Sequence, residues 1–191
     1  MRAWKISLGI ACGVTAVFLP ALGYRWWLDR GEWFPMKVGD RWTYRDDRGG
    51  PKVVFETLLR EAGGEFIVER RIGATSVRFV LSVTSDSVLL LGASGEPFDP
   101  PFEEFRLPPA GADEWSYDGR LGTRAVQATS RRVQAHRRRF EVEERSSLSG
   151  RTTFTVERGK GVVRLVGKRT DIHSSGVSSF DWILESFERR G

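Results

Sequence analysis

The chain has 191 residues, 40% hydrophobic and 29% charged, which excludes both a disordered chain and one buried throughout in a membrane. Its one cysteine, Cys12, lies in an apolar leader, so the remainder can form no internal disulfide, cysteine-based zinc site or thiol nucleophile. The net charge is +5, and beyond residue 23 there are 28 basic against 25 acidic side chains, too small an excess to point to nucleic acid.

Residues 1–27 read as a signal peptide or a membrane anchor helix. Arg2 and Lys5 precede an uncharged run from Ile6 to Tyr24, which Arg25-Trp26-Trp27 closes. As a helix the run spans roughly 28 Å, near the thickness of the hydrocarbon core, and the tryptophans suit its interface. A signal peptide would break at Pro20 and be cut after Ala21-Leu22-Gly23. The length of the run tips the balance slightly toward an anchor. Either form puts the rest of the chain in the cell envelope. It is then anchored to the cytoplasmic membrane with the domain outside, or secreted or periplasmic after cleavage near Gly23.

Residues 28–191 read as a single antiparallel β domain, mainly all-β. Val53, Phe55, Thr57 and Leu59 alternate with their neighbours, as do Phe66 and Val68, and Val77, Phe79, Leu81 and Val83. The same period returns at Phe140 and Val142, at Phe154 and Val156, and over residues 162–166. These are strands with one buried face. Turn signals separate them at Gly49-Gly50-Pro51, Gly63-Gly64, Gly73, Gly150 and Gly159-Lys160-Gly161, and no helical crossover intervenes. Residues 97–111 hold five prolines and are expected to form a loop or irregular crossover. At the end of the chain Phe180, Trp182 and Leu184 favour a strand over a helix.

Phe34-Pro35 leads to Asp40-Arg41-Trp42-Thr43-Tyr44, and Leu107-Pro108 leads to Asp113-Glu114-Trp115-Ser116-Tyr117. The two stretches share one pattern at a constant offset of 73 positions, which fits either a duplicated half-sheet or two similar strand starts. Both readings make the Trp and Tyr core residues rather than a ligand platform. The first stretch, with Pro35, Gly39, Trp42 and Tyr44, resembles the FPL-x-x-G-x-x-W-x-Y motif of bacterial envelope and secreted proteins of uncharacterised function. Trp115 and Tyr117 are similar to a second landmark of those proteins. The resemblance implies a strongly curved antiparallel sheet, loosely similar to the half-barrels of lipoprotein-carrier proteins. It implies no catalytic residue.

Little in the chain suggests catalysis, a metal or a cofactor. His136 and His173 stand in polar surroundings with no ligand spacing around them. No G-x-S-x-G, G-x-G-x-x-G or Walker pattern occurs. The adjacent carboxylates Asp46-Asp47, Glu103-Glu104 and Glu143-Glu144 should point to opposite strand faces, which forbids proton sharing between neighbours and predicts solvated surface. Charge segregates along the middle of the chain. Residues 95–118 are acidic apart from Arg106, and residues 119–139 carry Arg120, Arg124, Arg131, Arg132, Arg137, Arg138 and Arg139 with no acid. These arginines form a candidate patch for anionic lipid or polymer, or else pair with the acidic stretch. No aromatic residue is interleaved for base stacking, which argues against nucleic acid.

The expected function is therefore a non-catalytic envelope domain, membrane-tethered or secreted, whose concave sheet binds a lipid-like ligand or a partner protein. The alternatives are a surface binder acting through Arg120–Arg139 and, behind it, an envelope hydrolase.

Overall fold

Alternation between apolar and polar side chains continues along nearly the whole domain and makes twelve strands among the described residues. In this computed structural model those residues are 33–108, 112–170 and 177–190. The expected leader helix, the cleavage position near Gly23 and His173 lie outside them. The strands are β1 (Arg41–Asp46), β2 (Val53–Arg60), β3 (Phe66–Ile72), β4 (Thr75–Val83), β5 (Ser87–Ala93) and β6 (Glu96–Arg106). They continue with β7 (Glu114–Leu121), β8 (Arg124–His136), β9 (Arg139–Ser146), β10 (Gly150–Glu157), β11 (Gly161–Thr170) and β12 (Val177–Glu188). The end of the chain is thus a strand, as its alternation suggested.

Each strand pairs antiparallel with its sequence neighbour, and β1 pairs with β12, so the sheet closes into a barrel. The expected open sheet or half-barrel is corrected on this point. Closure runs from Arg41 opposite Glu188 to Asp46 opposite Trp182, and it removes the two edges an open sheet would expose. Pairing of this kind joins segments about 140 positions apart, and local periodicity carries no trace of it.

The proline-rich stretch needs a second correction. Residues 96–106 are strand β6, with Pro97, Pro100 and Pro101 inside it. Proline has no N–H to give a ladder and survives where the ladder is already broken. Here β6 and β7 share only two register pairs, Phe98 with Leu121 and Asp99 with Arg120, and the β5–β6 register shifts twice. Side chains bridge the gap to β7. Trp115 Nε1 donates to the carbonyl of Glu103 (2.9 Å), and the Tyr117 hydroxyl donates to that of Pro100 (2.8 Å).

Most rings face inward and most charged side chains outward, the reverse of a barrel whose wall faces lipid. The outer surface carries ion pairs such as Arg164–Asp181 (2.7 Å), Arg151–Glu143 (3.1 Å) and Arg71–Glu56. At the end where β1 begins, the entering segment 33–40 folds over the mouth. Trp33 packs edge-on to Phe140 (4.9 Å) and Phe34 stacks on Phe105 (5.2 Å). Pro35 is fully buried behind them. Gly39 turns the chain at a positive φ of 89°, where a Cβ would also crowd Arg190. Asp40, fully buried, then accepts from the backbone N–H groups of Lys37 (3.0 Å) and Arg190 (3.2 Å), tying the entering segment to the C-terminus. Trp42 and Tyr44 reach past β12 and donate to the carbonyls of Lys160 and Val162, both at 2.7 Å.

Candidate functional site

A closed ring of twelve strands is wider than side chains fill, and a cavity of about 670 Å³ remains inside. Its wall is mostly aromatic and aliphatic, with Phe55, Phe79, Leu81, Phe102, Phe154 and Trp182 among the contributors. At one end it is bounded by Phe34 and Met36 of the entering segment. At the other it reaches turn residues, including Pro51, Ser94 and Ser149.

Three carboxyl side chains interrupt this apolar wall: Asp46 at the turn end of β1, and, within the strands, Glu104 of β6 and Glu144 of β9. Glu144 arrives there by plain alternation, because Phe140, Val142 and Glu144 share the inward face of β9 while Glu143 and Arg145 face away. Glu104 follows Phe102 onto the inward face by alternation, and a bulge then turns Phe105 inward beside it. Val88 pairs with Phe105 and Leu89 with Glu103, which leaves Glu104 as the extra residue. A bulge lets consecutive side chains point to the same side, and both Glu104 and Phe105 turn inward. Glu103 keeps to the wall's other side, paired with Arg106 at 2.8 Å.

The Glu104 and Glu144 carboxyls act on each other. Burial pushes the Glu104 carboxyl well above its ordinary range, and the nearby Glu144 pushes it further the same way. Burial likewise raises Glu144 to about 7, against a smaller opposing effect from its hydrogen bond with Ser149. Ser149 Oγ donates to Glu144 Oε1 at 3.1 Å. Glu144 is only 5% exposed, yet Oε2 has no hydrogen-bond partner among the described residues. Thr152, opposite Glu144 in the β9–β10 register and 3% exposed, has an unpartnered Oγ1 as well. Unsatisfied polar atoms at such depth are rare enough to need an explanation. Arg70 of β3 also reaches the cavity wall, with its guanidinium 5.3 Å from the centre of the Phe79 ring.

The residues singled out in the sequence fall elsewhere. Trp42, Tyr44, Trp115 and Tyr117 are buried and spend their polar atoms on backbone carbonyls. Arg131 pairs with Glu114 at 3.5 Å. Arg132, with an 8% exposed side chain, pairs with Asp113 at 2.8 Å. Arg137 and Arg138 form the β8–β9 turn, and Arg139 opens β9; all three are exposed. His136 ends β8 on the exposed surface. No group of three or more metal-ligating side chains occurs among the described residues.

Each of the three adjacent acid pairs that sequence analysis assigned to solvated surface contributes one member to the cavity lining: Asp46, Glu104 and Glu144. Adjacent neighbours do face apart, as strand geometry demands, but the barrel brings Glu104 and Glu144 together. For Glu144 a signal was present in the continuing alternation of Phe140 and Val142. The chain matches no family model, and no curated protein or solved structure matches it significantly.

Proposed function

We propose that the domain is a non-catalytic binding barrel of the cell envelope that holds a lipid-like molecule in its lumen. The observation that carries this reading is the apolar cavity of about 670 Å³, a size within the range of small-molecule sites. The apolar leader supports an envelope location, tethered or released after cleavage, and the resemblance of Pro35–Tyr44 to envelope proteins agrees with it.

The test is to purify the full chain with a membrane-solubilising polymer instead of detergent and to identify co-purifying small molecules by mass spectrometry. A stoichiometric apolar molecule is expected. It should be lost from Leu81→Trp, which puts a larger ring on the cavity wall, while the variant keeps its β-sheet circular dichroism. A folded wild-type chain with an empty lumen overturns the reading.

The surface alternative has less support, because Arg131 and Arg132 are engaged with Glu114 and Asp113. Its other residues, Arg137, Arg138 and Arg139, lie on the exposed surface at the β8–β9 turn. The hydrolase alternative draws on the Glu104–Glu144 pair, since coupled carboxyls in an apolar site serve acid and base roles elsewhere. Turnover of generic ester or glycan substrates that is lost in Glu144→Gln would favour it.

A further inference from the structure

We propose that Glu104, Glu144 and Thr152 form a head-group site inside the lumen, and that the ligand is an amphiphile whose head is an ammonium group. This inference rests on the lumen-binding reading above and goes further by naming the chemistry of the ligand.

The argument begins with unmet hydrogen bonds. Glu144 and Thr152 are neighbours across the β9–β10 ladder and both line the cavity, and Glu144 Oε2 and Thr152 Oγ1, buried in its wall, have no partner among the described residues. The ionised form of Glu144, which a neighbouring cation favours, can only accept, and a threonine hydroxyl can accept as readily as it donates. The groups facing this spot therefore ask for a donor. Ser149 already serves Glu144 Oε1, so Oε2 is the oxygen left without a donor. Glu104 adds a second carboxyl from β6, on the inward face two residues after Phe102.

Charge narrows the class. Three carboxyl side chains, Asp46, Glu104 and Glu144, line the chamber against one guanidinium, that of Arg70, and the neighbouring Glu104 and Glu144 favour a cation beside them over an anion. A primary ammonium carries three N–H donors and one positive charge, enough for Glu144 Oε2, Glu104 and Thr152 Oγ1 together. An alcohol head brings a single donor and no charge. A carboxylate head would meet two like groups, and its better place would be Arg70, six strands round the ring from Glu144. The apolar wall, with Phe102 and Phe154 among its rings, is left for the alkyl chain.

The experiment compares dodecylammonium, dodecanol and dodecanoate binding to the full chain by calorimetry at neutral pH. Dodecylammonium should bind about tenfold or more tightly than dodecanol, since charge-assisted hydrogen bonds exceed neutral ones. Dodecanoate should bind most weakly. Glu144→Gln should erase the preference for the amine while leaving dodecanol affinity within about twofold. Should that variant fail to fold, Thr152→Val tests the same site and should weaken the amine alone. Arg70→Gln should leave the amine preference intact. Equal binding of the three probes, or a preference for dodecanoate, overturns the head-group site and leaves the lumen reading standing. If none of the probes binds, both fall.

Discussion

At the scale of single residues, the most consequential side chain is Glu144, a carboxyl that titrates near 7 in place of its ordinary 4.5. The folded chain keeps this proton to about pH 7, whereas the unfolded chain releases it near 4.5. The folded state thus holds the extra proton between those values, and stability falls as pH rises through that window. Glu104 is raised by the same burial and adds to the loss. Thermal unfolding should show a midpoint that drops between about pH 5 and about pH 8, and Glu144→Gln should flatten part of that slope. A wild-type midpoint that rises across this window would refute the buried assignment. Glu144 was legible in the sequence, since it extends the alternation of Phe140 and Val142 by one step. Glu104 follows Phe102 in the same way, but the bulge that turns Phe105 inward beside it left no mark on hydrophobic periodicity.

At the scale of elements, β6 departs furthest from ordinary strand behaviour. Its prolines read correctly as a break in hydrogen bonding, but a break toward β7 does not prevent pairing with β5. Trp115 and Tyr117 stitch the loose side with two donors. The corresponding pair on β1, Trp42 and Tyr44, donates to carbonyls beyond β12. The motif shared by the two stretches thus places an inward Trp and Tyr whose polar tips hold backbone carbonyls, a role that ring size and one donor per side chain permit. Hydrogen–deuterium exchange should find amides of residues 100–106 and 114–119 exchanging well before those of β9 and β10, which pair along their full length. Equal protection would mean that the two-pair ladder misrepresents the β6–β7 contact. Trp115→Phe, which removes the bond to Glu103, should speed exchange there and cost about 1 kcal/mol in denaturant unfolding.

At the scale of the whole molecule, closure decides the properties. A sheet of this curvature left open would present β1 and β12 as unpaired edges, and their mutual pairing removes both. A chain truncated after Thr170, and so lacking β12, should expose edges on β1 and β11 and self-associate, which size-exclusion chromatography would detect. A monodisperse truncated monomer would show that closure is dispensable. The 73-position echo takes on a spatial meaning in the ring, because it carries Arg41 at the start of β1 onto Glu114 at the start of β7. The two strands lie six places apart in a ring of twelve, on opposite sides of the barrel.

The sequence by itself determined the class of the domain: antiparallel strands, their approximate places and the rings that face inward. Strand periodicity is a local property, since each side chain's face follows from its neighbours on the same strand. Only the tertiary structure decided that the sheet closes, that a cavity survives inside it, and that carboxyls from three separate acid pairs share that cavity. Each of these depends on register between distant segments, and a register shift or a bulge changes which side chains meet without changing composition or period.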